Sequence, residues 1–259
     1  MTEIDVDFEV EQKPRKFVTQ WFLPILFKPR KAISEIAEKE HPVWIAPLVA
    51  LMITALVLVL VSSSLVGQSS QLESQPEMFD YYSPEQQQQY QNAVDMGVSP
   101  VVTIIFPLVG KILGIWVGWI LLGSILHLSL TLNGSRSNTR SALNIVAWAS
   151  VPFILRDIVQ IMAILISKQL INGPGLSGFM TEGAVGFSSF ISVLLGFLDI
   201  YLIWQIVLIG LGAIKISGLT TRKAWLATII AVLIFLALKA IPGFVGAQLS
   251  GLSTSGMFF

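Results

Sequence analysis

The chain has 259 residues, of which 54% are hydrophobic and only 12% charged, and its formal net charge is +0. A soluble domain carries roughly 25% charged residues, so this balance, with a mean hydropathy of +0.74, points to an integral membrane protein. Neutrality provides no field for nucleic acid, and the absence of cysteine excludes disulfides, thiol catalysis and cysteine-based metal sites.

The N-terminal stretch "MTEIDVDFEVEQKPRK" is acidic and mixed, with no apolar core or cleavage site, so it does not read as a signal peptide. Beyond it, Phe17, Val18, Trp21, Phe22, Ile25 and Leu26 are apolar at helical spacing, and Pro24 interrupts them. A second helix is expected from Pro29, because proline suits a first helical turn. Ile33, Ile36 and Ala37 form one face of it, and Arg30, Lys31, Glu35 and Glu38 the other. Both pieces are expected to lie in the cytoplasmic interface, either as a lead-in to the first span or as a docking site for a cytosolic partner.

A spanning helix needs about 20 mostly apolar residues. Five stretches qualify: 43–66, 106–132, 142–167, 187–214 and 224–247. Lys and Arg between them set the orientation. Seven precede the first span, two (Arg136, Arg140) lie in the turn 133–141, and three (Lys215, Arg222, Lys223) lie in the turn 215–223, twelve in all; the opposite loops hold only Lys168. The N-terminus is therefore expected in the cytoplasm and the C-terminus outside. The glutamine-rich outer loop contains "SPEQ" at 83–86, a helix-start pattern.

In the second span Gly110, Gly114 and Gly118 repeat every four residues. Small residues so spaced allow close helix approach, within the bundle or in a homo-oligomer. In the third span Pro152 is expected to kink the helix. The third span also carries Arg156 and Asp157, the fourth Asp199 and the fifth Lys239. At ~1.5 Å per residue each lies roughly 22–24 Å from its nearest basic-side turn, so the four form one layer of zero net charge. Arg156 and Asp157 project about 100° apart, so each is expected to find a partner on another helix, Asp199 for Arg156 and Lys239 for Asp157. Intramembrane ionisable groups point first to function; the competing reading is a polar clamp that fixes helix register, which an evenly balanced quartet favours. Lys111 falls near the outer boundary, where it is expected to snorkel.

His41 and His127 stand far apart, and no catalytic or phosphate-binding motif occurs. No enzyme activity, cofactor or metal is expected.

Three stretches carry a resemblance: "FKPRKAISEIAEKEHPVWIAPLVAL" (27–51), "LHLSLTLNGSRSNTRSALNIVAWASVPFIL" (126–155) and "FLDIYLIWQIVLIGLGAIKISGLTTRKAWLATII" (197–230). With five spans and a cytoplasmic N-terminus, the chain resembles bacterial members of the Yip-domain (Ypt/Rab-interacting) family over roughly residues 20–247. The resemblance implies a multi-pass protein of a bacterial inner (cytoplasmic) membrane. Eukaryotic members bind prenylated small GTPases through a first cytosolic signature, a Tyr-Gly-Pro stretch; this sequence has no match to it, so no binding residues are carried over.

The expected fold class is an all-α integral membrane protein, a five-transmembrane-helix bundle with N-terminal cytoplasmic interfacial helices. Residues 1–42 would form the cytoplasmic amphipathic segment, 43–247 the Yip-like membrane domain and 248–259 a short extracytoplasmic tail. The expected function is that of a non-catalytic scaffold or adaptor in the lipid bilayer, recruiting a cytosolic or membrane protein partner through its cytoplasmic face. The alternative is a small transporter or permeation path built on the charged layer. The sequence gives no sign of paired broken half-helices, which weakens that alternative.

Overall fold

The computed structural model describes residues 18–39, 41–72, 79–171, 173–180 and 187–255. The helices are α1 (Phe22–Phe27), α2 (Pro29–Ala37), α3 (Ile45–Leu72), α4 (Pro84–Gly97), α5 (Phe106–Leu132), α6 (Thr139–Ala149), α7 (Val151–Ser167), α8 (Phe187–Phe197), α9 (Ile200–Ser217) and α10 (Thr221–Ser255). No strand occurs among the described residues. Five helical stretches are long and apolar enough to cross a membrane: Ile45–Val66, Pro84–Leu132, Thr139–Ser167, Ile200–Ser217 and Thr221–Gly246.

These stretches differ from the expected spans in three places. The second is longer, because α4 runs on through a π-helical turn at Val101–Ile105 into α5. Its start follows the sequence signal: Ser83 and Gln86 form a reciprocal capping box. The third is two helices meeting at Ser150, with Pro152 in the first turn of α7, where a missing N–H is tolerated. The fourth, expected as 187–214, is broken. Asp199 is extended (φ -137°, ψ 175°), and its carboxylate accepts a hydrogen bond from the Leu202 N–H at 2.7 Å, starting α9 afresh. Capping by a carboxylate outcompetes continuation of α8. The end of α8 is closed by the turn Gly175–Phe179: the Leu176 N–H donates to the Leu198 carbonyl at 3.1 Å. Gly175 (φ 60°) is required there, since a Cβ would lie 2.8–2.9 Å from the carbonyl oxygens of Leu195, Gly196 and Leu198.

The core runs between α5, α6, α9 and α10 through Leu126, Ile145, Leu208, Ile209 and Ala227, all buried. Close approach of helices comes from glycines outside the expected stripe. A Cβ on Gly210 would strike Trp225, and one on Gly212 would strike Ile145. At Gly110 and Gly114 a Cβ would meet nothing within 4 Å, and at Gly118 it would make an ordinary 3.6 Å contact with Phe235. The stripe therefore brings no helix close at its first two positions, because that face of α5 borders open space.

The apolar faces of α1 and α2 turn into the bundle end formed by α6 and α9. Trp21 (1% exposed) meets Trp148 edge-on at 5.3 Å, and its Nε1 donates to Glu35 Oε2 at 2.8 Å. Ile25, Ile33 and Ile36 are also buried, so α2 shows solvent or headgroups mainly its charged side, Arg30 and Lys31. The link to α3 is held from the third span. Asn144 Oδ1 accepts from the Val43 N–H (2.9 Å), its Nδ2 donates to the His41 carbonyl (3.1 Å), and Trp148 Nε1 donates to the Val43 carbonyl (3.0 Å). A buried side-chain amide satisfied on both atoms fixes the chain entry as well as a turn would.

Candidate functional site

Arg156 lies in α7, beyond the break at Ser150. Its Nη1 is 3.5 Å from Asp199 Oδ2, on the residue that caps α9. Asp199 thus serves with one oxygen as a helix cap and with the other as a counter-ion. Arg156 Nε also lies 3.8 Å from Asp157 Oδ1. The two adjacent side chains diverge at their Cβ atoms, yet the long guanidinium folds back across the difference. The guanidinium carbon rests 4.5 Å from the Phe153 ring centroid, and Nε is buried without a hydrogen-bond partner.

The expected pairing of Asp157 with Lys239 is not formed. Asp157 faces α3, against which α7 packs, and its Oδ2 accepts from Thr54 Oγ1 at 2.9 Å. Lys239 turns the other way and sets its Nζ 4.4 Å from the Phe197 ring centroid, a cation–π contact at the end of α8. The tie thus runs from the third span to the first and the fourth, and no ion pair reaches the fifth among the described residues.

These groups border a cavity of about 270 Å³ between all five spans. Its wall includes Arg156, Asp157 and Lys239, together with Lys111. Lys111, expected near the outer boundary, borders the cavity beside Gly114 and remains exposed. With Asp199 counted as Arg156's partner, three cations meet two carboxylates, and the balanced quartet becomes a quintet with one positive charge in excess. Neither Lys111 nor Lys239 comes within ion-pair distance of a carboxylate among the described residues.

Polar lining continues inward through Gln205, whose Nε2 donates to Ser150 Oγ at 3.0 Å, both buried. The first turns of α7 and α9 both reach the wall, through Ser150 and Leu202. The third span, in which Pro152 was expected to give a kink, and the start of α9, where no break was expected, therefore meet at this site. Thr54, Ser150 and Gln205 escaped sequence reasoning, and Lys111 was placed only at the outer boundary. Their signal was present as single polar residues inside apolar runs, "LMITAL" and "IWQIV" among them.

Among the described residues no group of three His, Asp or Glu is placed to hold a metal ion. No constellation of nucleophile, base and orienting group occurs among the contacts described. The arrangement is suited to holding a charged group in a largely apolar wall.

No curated protein and no solved structure was found to match the chain. Residues 24–241 match the Yip1 domain, and this interval contains every residue of the cavity wall from Leu48 to Lys239. On a match covering most of its length, the chain belongs to the Yip1 domain family.

Proposed function

We propose that this Yip1-domain protein is a non-catalytic membrane protein whose working part is the cavity between its spans, a binding site for an anionic group. The observation that carries the reading is the excess cation: Lys111 and Lys239 border the cavity with no carboxylate in ion-pair reach among the described residues. An uncompensated charge at membrane depth is unfavourable by about 2.5–3.5 kcal/mol even on the lenient insertion scale, and an anion entering the cavity removes that penalty. The bend at Ser150 and the helix start at Asp199 support the same reading, since both bring polar groups to the cavity. A radiolabelled-anion binding assay on the protein in nanodiscs tests it, with Lys239→Gln expected to lose binding. Flux in proteoliposomes then distinguishes a carrier from a receptor.

The orientation that goes with this reading is an inner membrane with the N-terminus in the cytoplasm and the C-terminus outside, supported by the twelve-to-one distribution of Lys and Arg. Reporter fusions at residue 80 and at the C-terminus are both expected on the outer side; a cytoplasmic signal from either overturns it.

A second reading, a scaffold or adaptor that recruits a protein partner, draws on the exposed basic side of α2 with Lys28 beside it. The apolar side of α2 is already occupied by the bundle. A partner would therefore meet charge, and its capture would weaken with salt. A homo-oligomer through Gly110 and Gly114 would have to close over the open face of α5. Crosslinking in cells separates these associations from ligand binding.

A further inference from the structure

We infer that the ligand is a single-chain anionic amphiphile drawn from the membrane, its head at the charged end of the cavity and its chain in the remainder. The inference rests on the anion-binding reading above and adds the chemistry of the rest of the ligand.

The charges occupy one end only. On α5, Lys111 and Leu122 both border the cavity and lie about 16 Å apart along the helix. Along α6 and α7, Arg156 and Val146 do so about 15 Å apart. The cavity is therefore elongated along the membrane normal. Its inner part is walled by Leu48, Leu51, Trp119, Leu122 and Val146. Buried polar side chains intrude there only as Gln205 and Ser150, which satisfy one another. A small inorganic anion would use the charged end and leave the apolar shaft without a function. At about 270 Å³, just below the 300–1,000 Å³ range of small-molecule pockets, the space suits one alkyl chain better than the two of a diacyl lipid.

The route of entry follows from exposure. Lys111, Gly114 and Lys239 border the cavity and are also exposed, so the cavity is open at this end. At these positions of α5 and α10 the surroundings are bilayer, and an amphiphile reaches the opening by lateral diffusion. At the head, Arg156 borders the cavity, and the two lysine ammonium groups are free of ion pairs among the described residues. Phosphate or carboxylate oxygens satisfy such donors.

The test uses the full chain in phosphatidylcholine nanodiscs and three probes: dodecyl phosphate, dodecanol and inorganic phosphate. Binding is followed by the fluorescence of Trp119 in the cavity wall, against a Trp119→Phe control. Dodecyl phosphate is expected to bind saturably, and each of the other two at least about tenfold more weakly. Lys111→Gln and Lys239→Gln should each weaken dodecyl phosphate about ten- to a hundredfold, the worth of one charge-assisted hydrogen bond, with Arg at either position restoring it. Leu122→Trp, which fills the inner part, should weaken dodecyl phosphate and leave inorganic phosphate unaffected. Equal binding of inorganic phosphate and dodecyl phosphate overturns the amphiphile while leaving the anion site standing. Equal binding of dodecanol overturns both, as does failure of both anions to bind. The three-probe comparison on the unmodified protein decides the matter even where a lysine variant fails to fold.

Discussion

Asp199 joins two roles that substitution can separate. Asn caps a helix about as well as Asp, so Asp199→Asn keeps the bond from the Leu202 N–H and removes only the charge that faces Arg156 at 3.5 Å. Arg156 would retain Asp157 at 3.8 Å, so the full penalty of an unpaired intramembrane cation does not apply. A loss of about 1 kcal/mol is expected, the upper range for a partly exposed pair. Asp199→Ala also removes the cap, about 1 kcal/mol more, and leaves a backbone N–H unsatisfied within the bundle. Thermal unfolding in a fixed detergent reads both, at about 2–4 °C per kcal/mol for a chain of this size. Asp199→Asn combined with Arg156→Gln should lose less than the two single losses added, because each removes the same interaction. Strict additivity would refute the ion pair, and an Asp199→Ala variant no worse than Asp199→Asn would refute the cap.

Gly212→Ala is expected to destabilise by about 1–3 kcal/mol, the range for overpacking, because the new methyl meets Ile145 across the α6–α9 contact; an unchanged unfolding midpoint argues against that contact. Gly114→Leu should leave the same midpoint essentially unmoved, since nothing lies within 4 Å of the position. Asn144→Ala removes the partners of the Val43 N–H and the His41 carbonyl, about 1–3 kcal/mol for each group left unsatisfied. It should also speed limited proteolysis between α2 and α3; unchanged cleavage would show that the grip is not needed.

The five crossings were legible because twenty apolar residues in a row have few other uses, and the helix start at Ser83 because its capping chemistry is local. The break before Asp199 was less so. An aspartate in an apolar run reads equally well as an intramembrane charge or as a cap, and here it is both. In the charged layer Arg156 does meet Asp199, as expected, and only the second pairing, Asp157 with Lys239, failed, for a related reason. Depth along the normal was estimated from helix rise, but azimuth decides contact, and α7 turns Asp157 toward Thr54 on α3 while Lys239 faces Phe197. That Lys111 also borders the cavity was not legible, because the sequence shows a lysine near a boundary without showing which helices enclose the space beside it. Of the glycine stripe, Gly118 meets Phe235 on α10, while Gly110 and Gly114 meet nothing within the chain. Small residues lower the barrier to close approach but do not supply a neighbour, and the tight contacts formed at Gly210 and Gly212.

The grip of Asn144 and Trp148 on the segment His41–Val43 also sets a timetable for synthesis. The Val43–Asn144 bond joins residues 101 positions apart. At the usual 5–20 residues per second, about 5–20 s separate the two ends as the ribosome delivers them. Through that interval α2 has emerged with Ile33 and Ile36 but without the helices that cover them, and α9 arrives later still. The nascent protein must lodge this amphipathic stretch on the lipid surface or on a chaperone, then release it once the third and fourth crossings have inserted.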